Sequence, residues 1–304
     1  METNDMAEQV IAVLGATGAQ GGGVVDALLK DGQYRVRAAV RNPASDAAKL
    51  LAKRGVELVK ADILDIGSMG PVFEGAYGVF VVTNFWDPAQ MRSETAIGTA
   101  LVNAAHAFGV HHAIWSTLPD CEKLSEGRFK VPHFSGKARV DAAVEAAGFP
   151  RYTFVQAPMY FQNFLNIMRP EPLPSGGRGW AVPMDPAARV IHAGDVTEVG
   201  RAVAAAFTAG DKLPNGSYLD VCGGTYSWDD FAATLNGLGH EIRVVQVPVD
   251  AYEGAHELRE WYQYCEQYTH FGPECEKRIA AANALVPAGF TGFADWAKIH
   301  MNQG

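Results

Sequence analysis

The stretch VIAVLGATGAQGGG, residues 10–23, decides the fold. Its first part, VIAVLG (10–15), is an apolar run that ends in glycine and reads as a buried strand. Its second part continues as GAQGGGVVDALLKDG (18–32), which reads as a helix closed by Gly32. Between them Gly15, Gly18 and Gly21 recur at three-residue spacing. Gly15 permits a tight turn, Gly18 lets a pyrophosphate approach the backbone, and Gly21 lets the helix pack closely on the strand. The helix N-terminus then offers free N–H groups and a partial positive charge to phosphates. The unit reads as a dinucleotide site, against the plainer alternative of a tight turn with no ligand.

The same alternation continues outward. YRVRAAV (34–40), VELVKAD (56–62), GVFVVTN (78–84), HAIWST (112–117) and YTFVQAP (152–158) read as strands. SDAAKLLAKRG (45–55, with Ser45 as N-cap), SMGPVFEGA (68–76), a long segment from about 88 to 108, and FSGKARVDAAVEAAG (134–148) read as helices. Strands alternating with helices give a doubly wound parallel sheet of the Rossmann type, whose ligands sit beyond the carboxyl ends of the strands. After Pro158 the rhythm breaks. MRPEPLPSGGRGWAVPMDPAAR (168–189) is dense in Pro and Gly and reads as loop. A helix at 195–209, a strand at 217–222, a helix at 227–238, a strand at 242–248 and further helices follow. The expected organisation is a Rossmann domain over 1–158. A smaller α/β lobe over 159–304 covers its ligand edge, and parts of it are free to return to the sheet.

The formal net charge of −9 and the scattered Lys and Arg argue against direct binding to nucleic acid. No run of eighteen apolar residues is present, so no membrane helix is expected. The N-terminal METNDMAEQ lacks the basic start and apolar core of a signal peptide, which predicts a cytoplasmic protein with reduced thiols at Cys121, Cys222, Cys265 and Cys275. Neither the cysteines nor the histidines show metal-ligand spacing, so no metal is expected.

The end of the second strand selects the cofactor. An NAD site wants Asp or Glu there for the ribose hydroxyls. This sequence has AAVRNP, with Arg41 at the strand end and Arg37 four residues earlier, so both can lie on one face. A guanidinium matches a 2′-phosphate through paired hydrogen bonds, which favours NADP(H).

AVLGATGAQGGGVVDALL, VRAAVRNP, ADILD, VFVVTNFW and HFSGKARVDAAV together resemble the NmrA-like proteins, an atypical branch of the short-chain dehydrogenase/reductases, and most closely their NADP(H) redox-sensor type. The broader family also contains NADPH-dependent reductases. The resemblance implies that Gly15, Thr17, Gly18, Ala19 and Gln20 form the pyrophosphate loop and that Arg41 holds the 2′-phosphate. It implies that Asp62 and Ile63 flank adenine, that Thr83 and Asn84 line the path to the nicotinamide ribose, and that Lys137 hydrogen-bonds that ribose. Pro158 and Tyr160 to Asn163 (YFQN) are then near the nicotinamide. For Asp62, Thr83 and Asn84, simple strand-end turns are the competing reading.

One departure stands out in VPHFSGK (131–137). Catalytic members of the wider superfamily carry a Tyr four residues before the Lys, and this position holds His133. Ser116 or Thr117 can supply the hydroxyl that polarises a carbonyl, and Lys137 is present. His133 and Lys137 lie one helical turn apart and can face the same space. A His is a competent general acid near neutral pH, so Lys137, His133 and Ser116 are the candidate catalytic set. The alternative is that His133 packs the helix start and Lys137 only positions cofactor. An aromatic stripe in AHELREWYQYCEQYTHFG (255–272) reads as core, or as the wall of a pocket for a small apolar substrate. Two functions follow: a sensor that reports the cofactor to a protein partner with weak or no turnover, or an NADPH-dependent reductase of a small carbonyl, imine or conjugated alkene. The oligomeric state is not readable.

Overall fold

The structure is a computed structural model that describes residues 9–302. The N-terminal stretch read for targeting lies, up to residue 8, outside the described residues. The first half runs β1 (Val10–Val13), α1 (Ala19–Asp31), β2 (Arg35–Val40), α2 (Asp46–Lys53), β3 (Glu57–Lys60), α3 (Gly70–Phe73), β4 (Ala76–Val81), α4 (Glu94–Ala107), β5 (His112–Thr117), α5 (Cys121–Leu124), α6 (Pro132–Ala147) and β6 (Arg151–Gln156). The second half adds β7 (Met159–Tyr160), β8 (Glu171–Pro172), β9 (Arg178–Val182), β10 (Ile191–Gly194), α7 (Val199–Ala209), β11 (Ser217–Asp220), β12 (Gly224–Tyr226), α8 (Trp228–Gly237), β13 (Ile242–Gln246), α9 (His256–Tyr268), α10 (Cys275–Leu285) and α11 (Phe293–His300).

The main sheet has seven parallel strands in the order β11-β6-β5-β4-β1-β2-β3. The order reverses between β1 and β4, so a ligand crevice opens at their carboxyl ends. Burial follows position. All four residues of β1 and all six of β5 are buried, whereas β2 alternates and the edge strand β3 has no buried residue. The sheet is the expected doubly wound Rossmann architecture, and β11 returns to it from the second half.

Two local readings are corrected. The helix expected from 88 begins at Glu94. Asn84 and Asp87 accept the backbone N–H groups of Trp86 and Ala89, so the chain folds as turns until Ser93. The loop expected over 168–189 contains β8 and β9, and β9 pairs in parallel with β13. Trp180 and Val182 give β9 a buried face despite the surrounding Pro and Gly.

Pro158 has no N–H and ends the β6 ladder. The chain then enters a small sheet, β12-β10-β7, at Met159, and this step places Pro158 and Tyr160 at the ligand edge. Phe161, Phe164, Trp180, Trp228, Phe231 and Trp296 form the buried centre of the second half. Most of the aromatic stripe of α9 belongs to it: Tyr262 and Tyr264 are buried core residues.

The two halves meet through glycine. A Cβ on Gly23 of α1 would lie 2.2 Å from the Thr197 carbonyl oxygen, and one on Gly200 of α7 would lie 2.0 Å from the Gly23 oxygen. Neither contact is sterically possible, and the obstacle is backbone. Gly23→Ala should therefore destabilise the protein by at least ~1–3 kcal/mol, the usual cost of overpacking. Urea unfolding checks this, with Gly32→Ala unsuitable as a control because Gly32 has φ +70°. Gly237→Ala, in open space, should be near neutral or stabilising.

Candidate functional site

The glycine turn presents an open helix N-terminus. Gly15 adopts φ +66°, and a Cβ on Gly21 would lie 2.2 Å from the Gly15 oxygen, so the helix start sits directly on the turn. Gly18 is the N-cap of α1, no side chain caps the helix, and its first turn carries no acid. Gly15, Thr17, Gly18 and Ala19 are exposed. An open, uncapped helix N-terminus of this kind fits a dinucleotide pyrophosphate.

The far end of the edge holds Arg41, Asp62 and Ile63. Arg41 is exposed just beyond β2. Arg37 is not available to join it. Its Nε donates to Glu57 Oε1 at 2.9 Å, and its Nη1 donates to the carbonyls of Val72 and Glu74 at 3.2 and 2.6 Å. It serves the end of α3, where a cation satisfies terminal carbonyls. Asp62 Oδ1 accepts the N–H of Leu64 at 3.0 Å, so the strand-end turn is real, and Ile63 is half-buried.

The near end is a cavity of about 210 Å³. It gathers Gln20, Thr83, Asn84, Ser116, His133, Lys137, Pro158, Tyr160 and Asn163 from the sequence-derived set, with Thr117 beside them. Its apolar wall comes from Phe85, Trp86, Phe134, Met168, Leu258 and Trp261. Gln20 crosses this space from the first turn of α1. Its Nε2 donates to the Tyr160 hydroxyl at 2.6 Å, and its Oε1 accepts from Ser116 Oγ at 2.7 Å. Burial pushes the Tyr160 phenol above its ordinary pKa, against the opposing hydrogen bond from Gln20.

Lys137 is buried and fully engaged. Its ammonium donates to the Thr83 carbonyl at 2.8 Å, to Thr83 Oγ1 at 3.0 Å and to Glu94 Oε1 at 2.6 Å. An ammonium has three protons, and all three have acceptors here. Thr83 Oγ1 in turn donates to Glu94 Oε1 at 2.8 Å. Contact of Lys137 with a ribose hydroxyl therefore requires one of these bonds to be given up. Burial pulls the Lys137 pKa down, and the Glu94 carboxylate holds it up. Glu94 is 3% exposed and opens α4. Sequence reasoning missed it: an acid in the first turn of a helix reads as ordinary dipole compensation, and nothing in its spacing points to Lys137.

His133 is packed rather than poised. Its ring lies among Phe85, Trp86 and Phe134, with centroids 5.7, 5.2 and 4.9 Å away. Among the described residues its buried Nδ1 has no partner. Burial, and secondarily Lys137, lower its pKa to about 3, so the imidazole is neutral at physiological pH. Among the described residues no group of three or more His, Cys, Asp or Glu is arranged to hold a metal.

The NmrA-like family model matches residues 7–297. The chain belongs to the NmrA-like family. An NmrA-like family domain-containing protein of Dictyostelium discoideum is 34% identical over 69% of this chain and 72% of its own length. An NmrA-like family domain-containing oxidoreductase of Aspergillus japonicus, himF, is 36% identical over 52% of this chain and 48% of its own, so this match spans about half the length of that relative. The crystal structure of NmrA, a negative transcriptional regulator, in complex with NADP superposes with a TM-score of 0.79 at 27% identity, covering 96% of this chain and 95% of that one. A complex of NmrA with NAD gives 0.80 at the same identity.

In this NmrA-like chain the neutral, buried His133 has a consequence for stability. Its folded pKa of about 3 lies below the ordinary 6.5, so the unfolded chain binds the extra proton between these values. Stability from this group is complete above pH 6.5 and is lost as pH falls toward 3, at up to ~1.4 kcal/mol per pH unit. His133→Phe should flatten the acid limb by that slope. Urea unfolding between pH 6 and 4, compared with wild type, measures it; an unchanged slope refutes the assignment.

Proposed function

We propose that this protein binds NADP(H) and works as a redox sensor or regulator with weak or no turnover, in the cytoplasm. Residues 1–158 would form the main cofactor-binding domain, and 159–304 would form a smaller lobe over the ligand edge, with β11 returning to the Rossmann sheet. Gly15, Thr17, Gly18, Ala19, Gln20 and Gly21 would hold the pyrophosphate, and Arg41 the 2′-phosphate. Asp62 and Ile63 would flank adenine, while Thr83, Asn84, Lys137, Pro158, Tyr160 and Asn163 would surround the nicotinamide end. When bound, the cofactor brings two reducing equivalents to the cavity.

The observation that carries the sensor reading is the engagement of the groups that would move a proton. Lys137 has no free donor, and His133 is an unprotonated ring in an aromatic cage. A general acid needs a pKa near the operating pH, and His133, with a pKa of about 3, does not supply one. A cofactor site without a ready acid suits reporting to a protein partner better than turnover. The reductase reading has one specific support, the apolar cavity beside Ser116 and Tyr160, sized for a small carbonyl, imine or conjugated alkene.

Two measurements test the cofactor. An Arg–phosphate hydrogen-bonded pair contributes about 1.5–3 kcal/mol, so NADPH should bind roughly tenfold or more tightly than NADH, and Arg41→Ala should erase the difference in calorimetric titrations. Gly18→Val should abolish binding while leaving a folded protein, because its side chain occupies the pyrophosphate's approach. Turnover separates the functions. With NADPH and a panel of ketones, quinones, imines and enones, cofactor absorbance should decay at less than about 1 s⁻¹. A substrate with robust turnover that depends on His133 or Lys137 would overturn the sensor reading in favour of the reductase.

A further inference from the structure

The cavity beside the proposed nicotinamide end has an unusual charge balance. Among the described residues, Lys137 is its only cationic lining residue, and no carboxylate lines it. A buried, isolated ammonium would attract anions strongly, because its field is poorly screened away from water. Glu94 stands directly behind that ammonium, outside the lining, at 2.6 Å. The pair is set deep, with side chains 10% and 2% exposed. The acid is held by more than Lys137: it opens α4, whose N-terminus favours a carboxylate, and it accepts from Thr83 Oγ1. Among the described residues its second oxygen, Oε2, is buried without a partner, and it faces Gly136, where a Cβ would lie 3.2 Å away. The glycine of HFSGK thus leaves room for the carboxylate against α6.

The remaining polar walls add no charge. His133 and His270 are both held neutral by burial, each with a pKa of about 3. His270 Nδ1 accepts from the Trp261 indole, and its Nε2 lies 3.3 Å from the Ala157 carbonyl. Phe85, Trp86, Phe134 and Trp261 supply flat apolar surface. The volume of about 210 Å³ is below the usual ~300–1,000 Å³ of drug-sized sites and above the ~150 Å³ of an engineered cavity that accepts benzene.

We propose that Glu94 is a specificity-determining residue: by cancelling the charge of Lys137 it makes this cavity select uncharged, flat aromatic molecules of one or two rings and reject anions of the same shape. The proposal rests on reading the cavity as a ligand site next to the cofactor, and it adds what that ligand is and which residue decides it. Glu94 touches no ligand; it acts through Lys137.

The test uses three probes of one shape: 2-naphthol, naphthalene-2-sulfonate and N-methylquinolinium. Binding is measured by calorimetry and ligand-observed NMR without cofactor. Wild type should bind 2-naphthol at least about tenfold more tightly than the sulfonate, a difference of ~1.4 kcal/mol. Glu94→Gln, titrated at pH 6 to keep Lys137 protonated, should shrink this gap to about threefold or less by tightening the sulfonate. A merely structural role would instead weaken all probes together. Lys137→Met, titrated at pH 8, leaves Glu94 as the unpaired charge and should shift preference toward N-methylquinolinium; it carries the test if Glu94→Gln does not fold. Equal wild-type affinities for the neutral and anionic probes, no binding of 2-naphthol, or an unchanged gap in Glu94→Gln would each overturn the proposal. A parallel NADPH titration of wild type keeps the cofactor reading separate: its failure sinks that reading, whereas the probe selectivities stand or fall by themselves.

Discussion

Backbone approaching backbone at α1 is the constraint on which the rest depends. Gly21 lets this helix seat on the Gly15 turn, and Gly23 lets it touch the segment that opens α7. The first contact aims the helix N-terminus at the crevice between β1 and β4, where anions are favoured. The second draws the chain after β10 back against the Rossmann half. Side chains at either position would push α1 away from one neighbour or the other. One short glycine-rich segment therefore fixes both the ligand edge and the docking of the second half on the first.

The buried Lys137–Glu94 pair needs a different explanation from stability. Burying two charges costs free energy that their attraction repays only with good geometry and satisfied hydrogen bonds. The other two ammonium protons go to Thr83 O and Thr83 Oγ1, and Glu94 Oε1 also accepts from Thr83 Oγ1, while among the described residues Glu94 Oε2 has no partner. Removing one partner of such a pair typically costs about 3–5 kcal/mol, whereas replacing both with apolar residues is often neutral. The arrangement ties β4, α4 and α6 together at the point where the cavity opens, so its position speaks for a role in the site.

The legible parts of the sequence were those with short-range physics. Strand, glycine turn and helix at residues 10–32 are set by neighbours in the chain, and the parallel sheet follows from their repetition. The Asx turns at Asn84 and Asp87 are equally local, yet the apolar spacing beyond them masked the delayed start of α4. Long-range partners were not legible. Arg37 looked like a companion of Arg41 because spacing reports the face of a strand, not the Glu57 and carbonyls waiting on it. Glu94 lies forty-three positions from Lys137 and carried no signal of the contact. The resemblance to the NmrA-like proteins located the cavity residues, which local pattern alone left as strand ends.

The substitution of His133 for the usual Tyr gains its meaning from the cage around it. An imidazole becomes an acid near neutral pH only where water, a carboxylate or a helix C-terminus supports its cation. Here it stands at a helix start, beside an ammonium and among three aromatic rings. The ammonium repels a cation, and burial among the rings removes the water that would solvate it, so the residue type alone misleads about the chemistry. The phenol that does face the cavity is Tyr160, brought in after Pro158 ends β6 and held by Gln20 from the glycine turn. Through Gln20 and Ser116 the first turn of α1 and the cavity wall form one hydrogen-bonded unit. A polar hydroxyl is thus retained at the cavity, with one lone pair taken by Gln20 and its pKa raised by burial. Gln20 thereby fixes the orientation of both hydroxyls that face the cavity.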